Sequence, residues 1–123
     1  MRFAIDAACG STIGKVRTNN EDNFLFNGTV LPQVNNGQLP PLELNGKVDG
    51  DLCIAVFDGM GGGELGEVAS NAAASKMLEL LSSKTEDDIE AFMRDSADIL
   101  NQAVYDQSVG KNLYQMGTTE AAM

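Results

Sequence analysis

Two short stretches hold residues whose types and spacing could do chemistry. The first is Val56-Phe57-Asp58-Gly59-Met60-Gly61-Gly62-Gly63, an aspartate at the end of an apolar run followed by glycines. A carboxylate at the mouth of a buried strand is desolvated, and needs a cation or hydrogen bonds to remain ionised. The glycines after it let the backbone turn tightly and aim a carbonyl at the same point. The Asp58 carboxylate and the Gly59 carbonyl together suit a hard, oxygen-seeking cation such as Mg²⁺ or Mn²⁺. An aspartate that only caps the following turn would fit the same residues. The second stretch, Val16-Arg17-Thr18-Asn19-Asn20-Glu21-Asp22-Asn23, offers a guanidinium fork for phosphate or carboxylate, with more carboxylate oxygen beside it. Alone it reads as a solvated loop. Beside Asp58 it completes a kit for hydrolysing a phosphate ester, with a phosphate-holding arginine next to metal-binding carboxylates.

Composition removes most other chemistries. The 123 residues contain no histidine, which excludes a Ser/His/Asp or Cys/His catalytic set and a His-ligated zinc or haem. Cys9 and Cys53 stand far apart inside apolar runs, so no CxxC pair forms, and buried free thiols in a reducing compartment are expected. The 18 acidic against 8 basic residues give a formal charge of -10, which disfavours nucleic-acid and membrane-surface partners. No apolar stretch has the length of a membrane span or a signal-peptide core, so a cytoplasmic protein is expected.

Two phosphate-binding motifs fail on inspection. Gly10 to Lys15 is one residue short of P-loop spacing, and Val16 stands where Ser or Thr must hold Mg²⁺. Gly61, Gly63 and Gly66 match the dinucleotide fingerprint. The helix that follows leads into a second helix rather than a strand, and Asp58 and Glu64 would repel a pyrophosphate.

The elements that must position these groups follow from periodicity. Phe3, Ile5 and Ala7 alternate in a first strand over residues 2–9. Phe24 to Phe26 form a second strand, turned at Asn27-Gly28 into a return strand at Thr29 to Leu31. Turn signals crowd residues 32–51, which read as a surface excursion or a further hairpin; the variable segment as a whole is placed at 27–51. The unbroken apolar run Leu52 to Phe57 predicts a central strand buried on both faces. A helical stripe of Val68, Ala69, Ala72, Ala73, Met77, Leu80 and Leu81 follows. Thr85 is the expected N-cap of a second helix, with Glu86, Asp87 and Asp88 in its first turn and a stripe of Ile89, Phe92, Met93, Leu100, Ala103 and Val104, ending at Gly110. The two helices are expected to pack antiparallel, and Met116 to Thr119 to open another strand.

Four motifs in order, Gly14-Lys-Val-Arg17-Thr-Asn-Asn-Glu21-Asp22, Val56-Phe-Asp58-Gly59-Met-Gly61-Gly62, Gly66-Glu67-Val-Ala-Ser70 and Met116-Gly117-Thr118-Thr119, resemble the metal-dependent serine/threonine protein phosphatases of type 2C. The resemblance implies an α+β fold, a two-sheet β-sandwich flanked by antiparallel helix pairs, with Asp58 bridging two Mn²⁺ or Mg²⁺ ions. Gly59 would offer its carbonyl to one ion, Arg17 would hold the substrate phosphate, and Glu21 and Asp22 would lie in the shell around the ions and their waters. The implied partners are a phosphorylated protein and a kinase acting in opposition. The family's remaining aspartate ligands come from motifs further along, so the 123 residues read as the N-terminal part of such a domain, inactive by itself. An open sheet face would favour self-association. A non-catalytic acidic regulatory or interaction module keeping the same fold is the alternative.

Overall fold

The computed structural model describes residues 2–61, 65–85, 87–110 and 115–123. Gly62, Gly63 and Glu64 of the glycine-rich stretch, and Glu86 of the expected helical turn, lie outside them. The described residues form an α+β fold of seven strands in two antiparallel sheets and two helices. The strands are β1 (Arg2–Thr12), β2 (Asp22–Phe26), β3 (Thr29–Val30), β4 (Gly37–Asp49), β5 (Ile54–Met60), β6 (Gly117–Thr118) and β7 (Ala121–Ala122). The helices are α1 (Gly66–Ser82) and α2 (Ile89–Gly110).

The Asn27-Gly28 turn forms as expected. Both residues hold positive φ, 49° and 78°, the backbone twist a two-residue hairpin requires, and Leu25 pairs with Val30 and Phe26 with Thr29. On its other edge β2 pairs with β5, and β6 and β7 line the far edge of β5 as one interrupted strand. Met123 extends that pairing, exchanging two backbone hydrogen bonds with Ile54.

The burial of β5 corrects one expectation. Ala55, Phe57 and Gly59 are buried, while Val56, Asp58 and Met60 alternate outward, with Val56 52% exposed. One face of β5 is covered, not two. The doubly buried strand is β2: Leu25 joins Ala55, Phe57, Ala69, Ala73 and Met77 under the helices, whereas Phe24 and Phe26 turn the other way to Leu31, Ala7, Cys9, Leu42 and Leu44.

Residues 37–49 are also not a surface loop. They make a 13-residue strand paired with β1 from Arg2 opposite Asp49 to Thr12 opposite Gly37, with a register shift between Cys9 and Ser11. Pro40 and Pro41 are tolerated because this ribbon has only two strands and the outer edge of β4 needs no amide donor. In β1, Ile5, Ala7 and Cys9 are half-buried as the alternation predicts, and Phe3 lies more open. Both cysteines are free and half-buried rather than fully buried; burial pushes both thiols up, and Glu120 adds to the effect at Cys53.

Small residues let α1 sit close on the sheet, with Ala69, Ala73 and Ala74 against it and Met77 filling the space beyond. Against α1 packs α2, antiparallel: Ala73 lies near Leu100 and Val104, and Leu80 near Phe92. The buried stripe of α2 is Ser96, Leu100, Val104 and Ser108, while Ile89 is exposed. The two serines satisfy their hydroxyls on the Met93 and Tyr105 carbonyls. The N-cap is Asp88, not Thr85: its Oδ1 accepts the Ala91 amide at 3.0 Å. Asp88→Ala should therefore cost about 1 kcal/mol in urea denaturation, and Thr85→Ala only a few tenths.

Candidate functional site

The pairing of β2 with β5 places Asp22 directly opposite Asp58. Two like charges on neighbouring strands disfavour both being ionised, which a shared proton or a cation would relieve. Burial pushes the Asp22 carboxyl up from the usual aspartate range; Asp58 and Glu21 add to the rise and Arg17 opposes it. Asp58 faces solvent rather than a closed interior, which corrects the expectation of a desolvated carboxylate. Arg17, Glu21, Asp22 and Asp58 line one polar cleft of about 240 Å³, with Asn19 and Asn20 in its wall. Arg17 is exposed and makes no ion pair among the described residues. Gly59 is buried beneath the site, and its amide donates to the Glu21 carbonyl at 3.2 Å. The five residues marked by sequence thus come together.

Several positioning residues were not singled out from the sequence. Buried Asn20 donates to Ser11 Oγ at 3.0 Å and Asn35 Oδ1 at 2.8 Å, and its own Oδ1 accepts the Asp22 amide at 3.3 Å, so one amide side chain anchors the whole Arg17 loop. Asn23 bonds both the amide and the carbonyl of Leu31, and Asn71 of α1 shares that carbonyl, tying the hairpin to the helix. On the other side, Thr119 donates its amide to the Asp58 carbonyl at 2.9 Å and accepts the Asp58 amide on Oγ1 at 3.3 Å; Thr118 Oγ1 donates to the same carbonyl at 3.1 Å. Two adjacent hydroxyls in the fourth motif were the available signal, and their task is to clamp the Asp58 main chain.

The donor set fits a hard divalent cation in kind: carboxylate oxygens only, with like charges held side by side. Among the described residues no group of three acidic, cysteine or histidine side chains could hold an ion. Of the two glycine patterns, Gly10 to Thr12 are part of β1 and lead into a loop, the Glu21 side chain lies against Gly66 at the start of α1, and Gly63 lies outside the described residues.

Because the Asp22 carboxyl is raised in the fold, it binds its proton more tightly folded than unfolded. Stability should fall as pH rises from the ordinary aspartate range through the raised value, and stay lower above it. Without divalent cations, Asp22→Asn is expected to melt higher than the parent at neutral pH and equally at pH well below the aspartate range. A thermal melt series across that window measures the difference.

No helix among the described residues is long and apolar enough to cross a membrane. Compared with protein-family models, curated proteins and solved structures, the chain matches none of them.

Proposed function

We propose that these residues serve metal-dependent hydrolysis of phosphoserine and phosphothreonine in proteins, as the resemblance to type 2C phosphatases implies. The observation that carries this reading is the strand register that sets Asp22 opposite Asp58 in the same cleft as Arg17 and Glu21. Asp58 would hold Mn²⁺ or Mg²⁺ ions with Gly59 contributing its carbonyl and Asp22 in the shell around them, and the ions would supply activation of a water at neutral pH. Arg17 is free to swing its fork onto the phosphate, since nothing described pairs with it. Glu21 keeps negative charge beside the ion waters. The implied layering, two sheets with helices outside, is supported by Leu25 and Phe57 facing α1 while Phe24 and Phe26 face the β1–β4 ribbon. A phosphorylated protein is then the substrate and an opposing kinase the functional partner.

One bridging carboxylate and one carbonyl leave the ions mostly held by water. The 123-residue chain is therefore expected to bind Mn²⁺ weakly and to show no appreciable turnover of an aryl phosphate, even in millimolar Mn²⁺. Asp58→Ala should weaken Mn²⁺ binding by well over tenfold, since outer-shell changes alone cost roughly 10–100-fold. Titration followed by electron paramagnetic resonance gives the answer, and binding unchanged in Asp58→Ala would refute the metal role. The second reading, an acidic interaction module without catalysis, is the one that unchanged binding would support. Exposed Val56, Met60 and Leu39 around the open side of β5 are expected to make the isolated chain self-associate at micromolar concentration in sedimentation equilibrium.

A further inference from the structure

Glu21 is held between two glycines. A carbon placed on Gly66 would stand 2.7 Å from Glu21 Oε2, 2.8 Å from its Cδ and 2.9 Å from its Cβ, so the Glu21 side chain lies across the space a residue with a side chain would fill. From the opposite wall, a carbon on Gly59 would strike the main-chain oxygens of Gly66 and Glu21. Neither glycine has a positive φ, so both supply room rather than an unusual backbone conformation. The Gly59 amide bonds the Glu21 carbonyl inside this slot.

A second observation comes from the helix. The N-cap of α1 is Leu65, which makes no side-chain cap hydrogen bond. The carboxylate lying on the first helical residue is that of Glu21, supplied from another element, where the helix dipole favours negative charge. Gly66 thus admits a distant carboxylate to a helix end that has no side-chain cap of its own.

We infer that Gly66 is a positioning residue: by admitting Glu21 it locks the Arg17–Asp22 loop to α1 and sets Asp22 in register with Asp58. The inference rests on the proposed metal site only for what the register is used for; the slot itself stands apart from it.

The test is a double-substitution cycle in the whole chain, with Gly66→Ala, Glu21→Gly and both together. Two readouts are taken: hydrogen exchange of the Gly59 amide by NMR, and Mn²⁺ affinity by electron paramagnetic resonance. Gly66→Ala is expected to expel Glu21 and speed Gly59 exchange by about tenfold or more, while the Ile54 amide, bonded to Met123 at the other end of β5, keeps its rate. Mn²⁺ affinity should fall with it. On the Glu21→Gly background, adding Gly66→Ala should change neither readout, because the atoms in its way are gone. Equal losses on both backgrounds would overturn the inference. If Gly66→Ala does not fold, a folded double variant supports the slot and an unfolded one overturns it. A positive exchange cycle in a chain that binds no Mn²⁺ would leave the slot standing and remove the metal site.

Discussion

Alanine at position 59 is expected to cost about 3 kcal/mol or more, enough to unfold much of a marginally stable domain. The added methyl would meet main-chain oxygen of Gly66 on α1 and of Glu21 before β2, and neither can move as a side-chain tip can. Relief would require lifting the helix from the sheet or breaking the loop away from β5. Urea denaturation followed by circular dichroism measures the loss. Gly110→Ala is the matching control: it closes α2, φ is not positive, and nothing among the described residues lies within 4 Å of the new carbon. That substitution should be neutral or stabilise by up to about 1 kcal/mol. A mild Gly59→Ala phenotype would mean that β5 and α1 approach less closely than described.

Phe57→Ala should cost a comparable amount, about 3–5 kcal/mol. Its ring is 1% exposed and packs with Leu25, Ala69, Ala73 and Met77, mostly small or rigidly placed neighbours that cannot collapse into the cavity. The adjacent Val56, half-exposed on the opposite face, should tolerate Thr within about 0.5 kcal/mol. The contrast between neighbours reads the pleat directly. If both substitutions cost the same, β5 is covered on both faces and the described alternation is wrong.

That alternation was hidden in the sequence for a physical reason. Leu52 to Phe57 is apolar throughout, and a continuous run does not say whether its outward residues meet solvent or a second layer. The hairpin was legible because Asn27-Gly28 solves a local problem, positive φ at two successive residues, that few dipeptides solve. The strand at 37–49 was not, because Pro40-Pro41, Asn45-Gly46 and Asp49-Gly50 are local breakers that a ribbon edge overrides. The cap of α2 was misplaced by three residues, since Thr85 and Asp88 are both competent and only Asp88 reaches a helix amide, that of Ala91. In the site, residue type marked Arg17, Glu21, Asp22, Asp58 and Gly59, which the fold brings to one place. That Asp22 faces Asp58 could not be read, because register between distant strands is a long-range property. The threonines 118 and 119 escaped for the same reason, as they act on Asp58 backbone about 60 residues away, and asparagines 20 and 23 because their partners Ser11, Asn35 and Leu31 are set by folding rather than by residue type.

The hydroxyl clamp of Thr118 on Asp58 spans 60 residues of sequence, which gives the site a place in time as well as in space. During synthesis at roughly 5–20 residues per second, Asp58 is made about 3–12 seconds before its clamp exists. Once α1 is made, β2 and α1 can close on β5, while the edge destined for residues 117–123 stays unpaired and open to other chains. Cells that slow translation across the segment after residue 58 would lengthen this exposed state, so the yield of folded protein should respond to codon usage there.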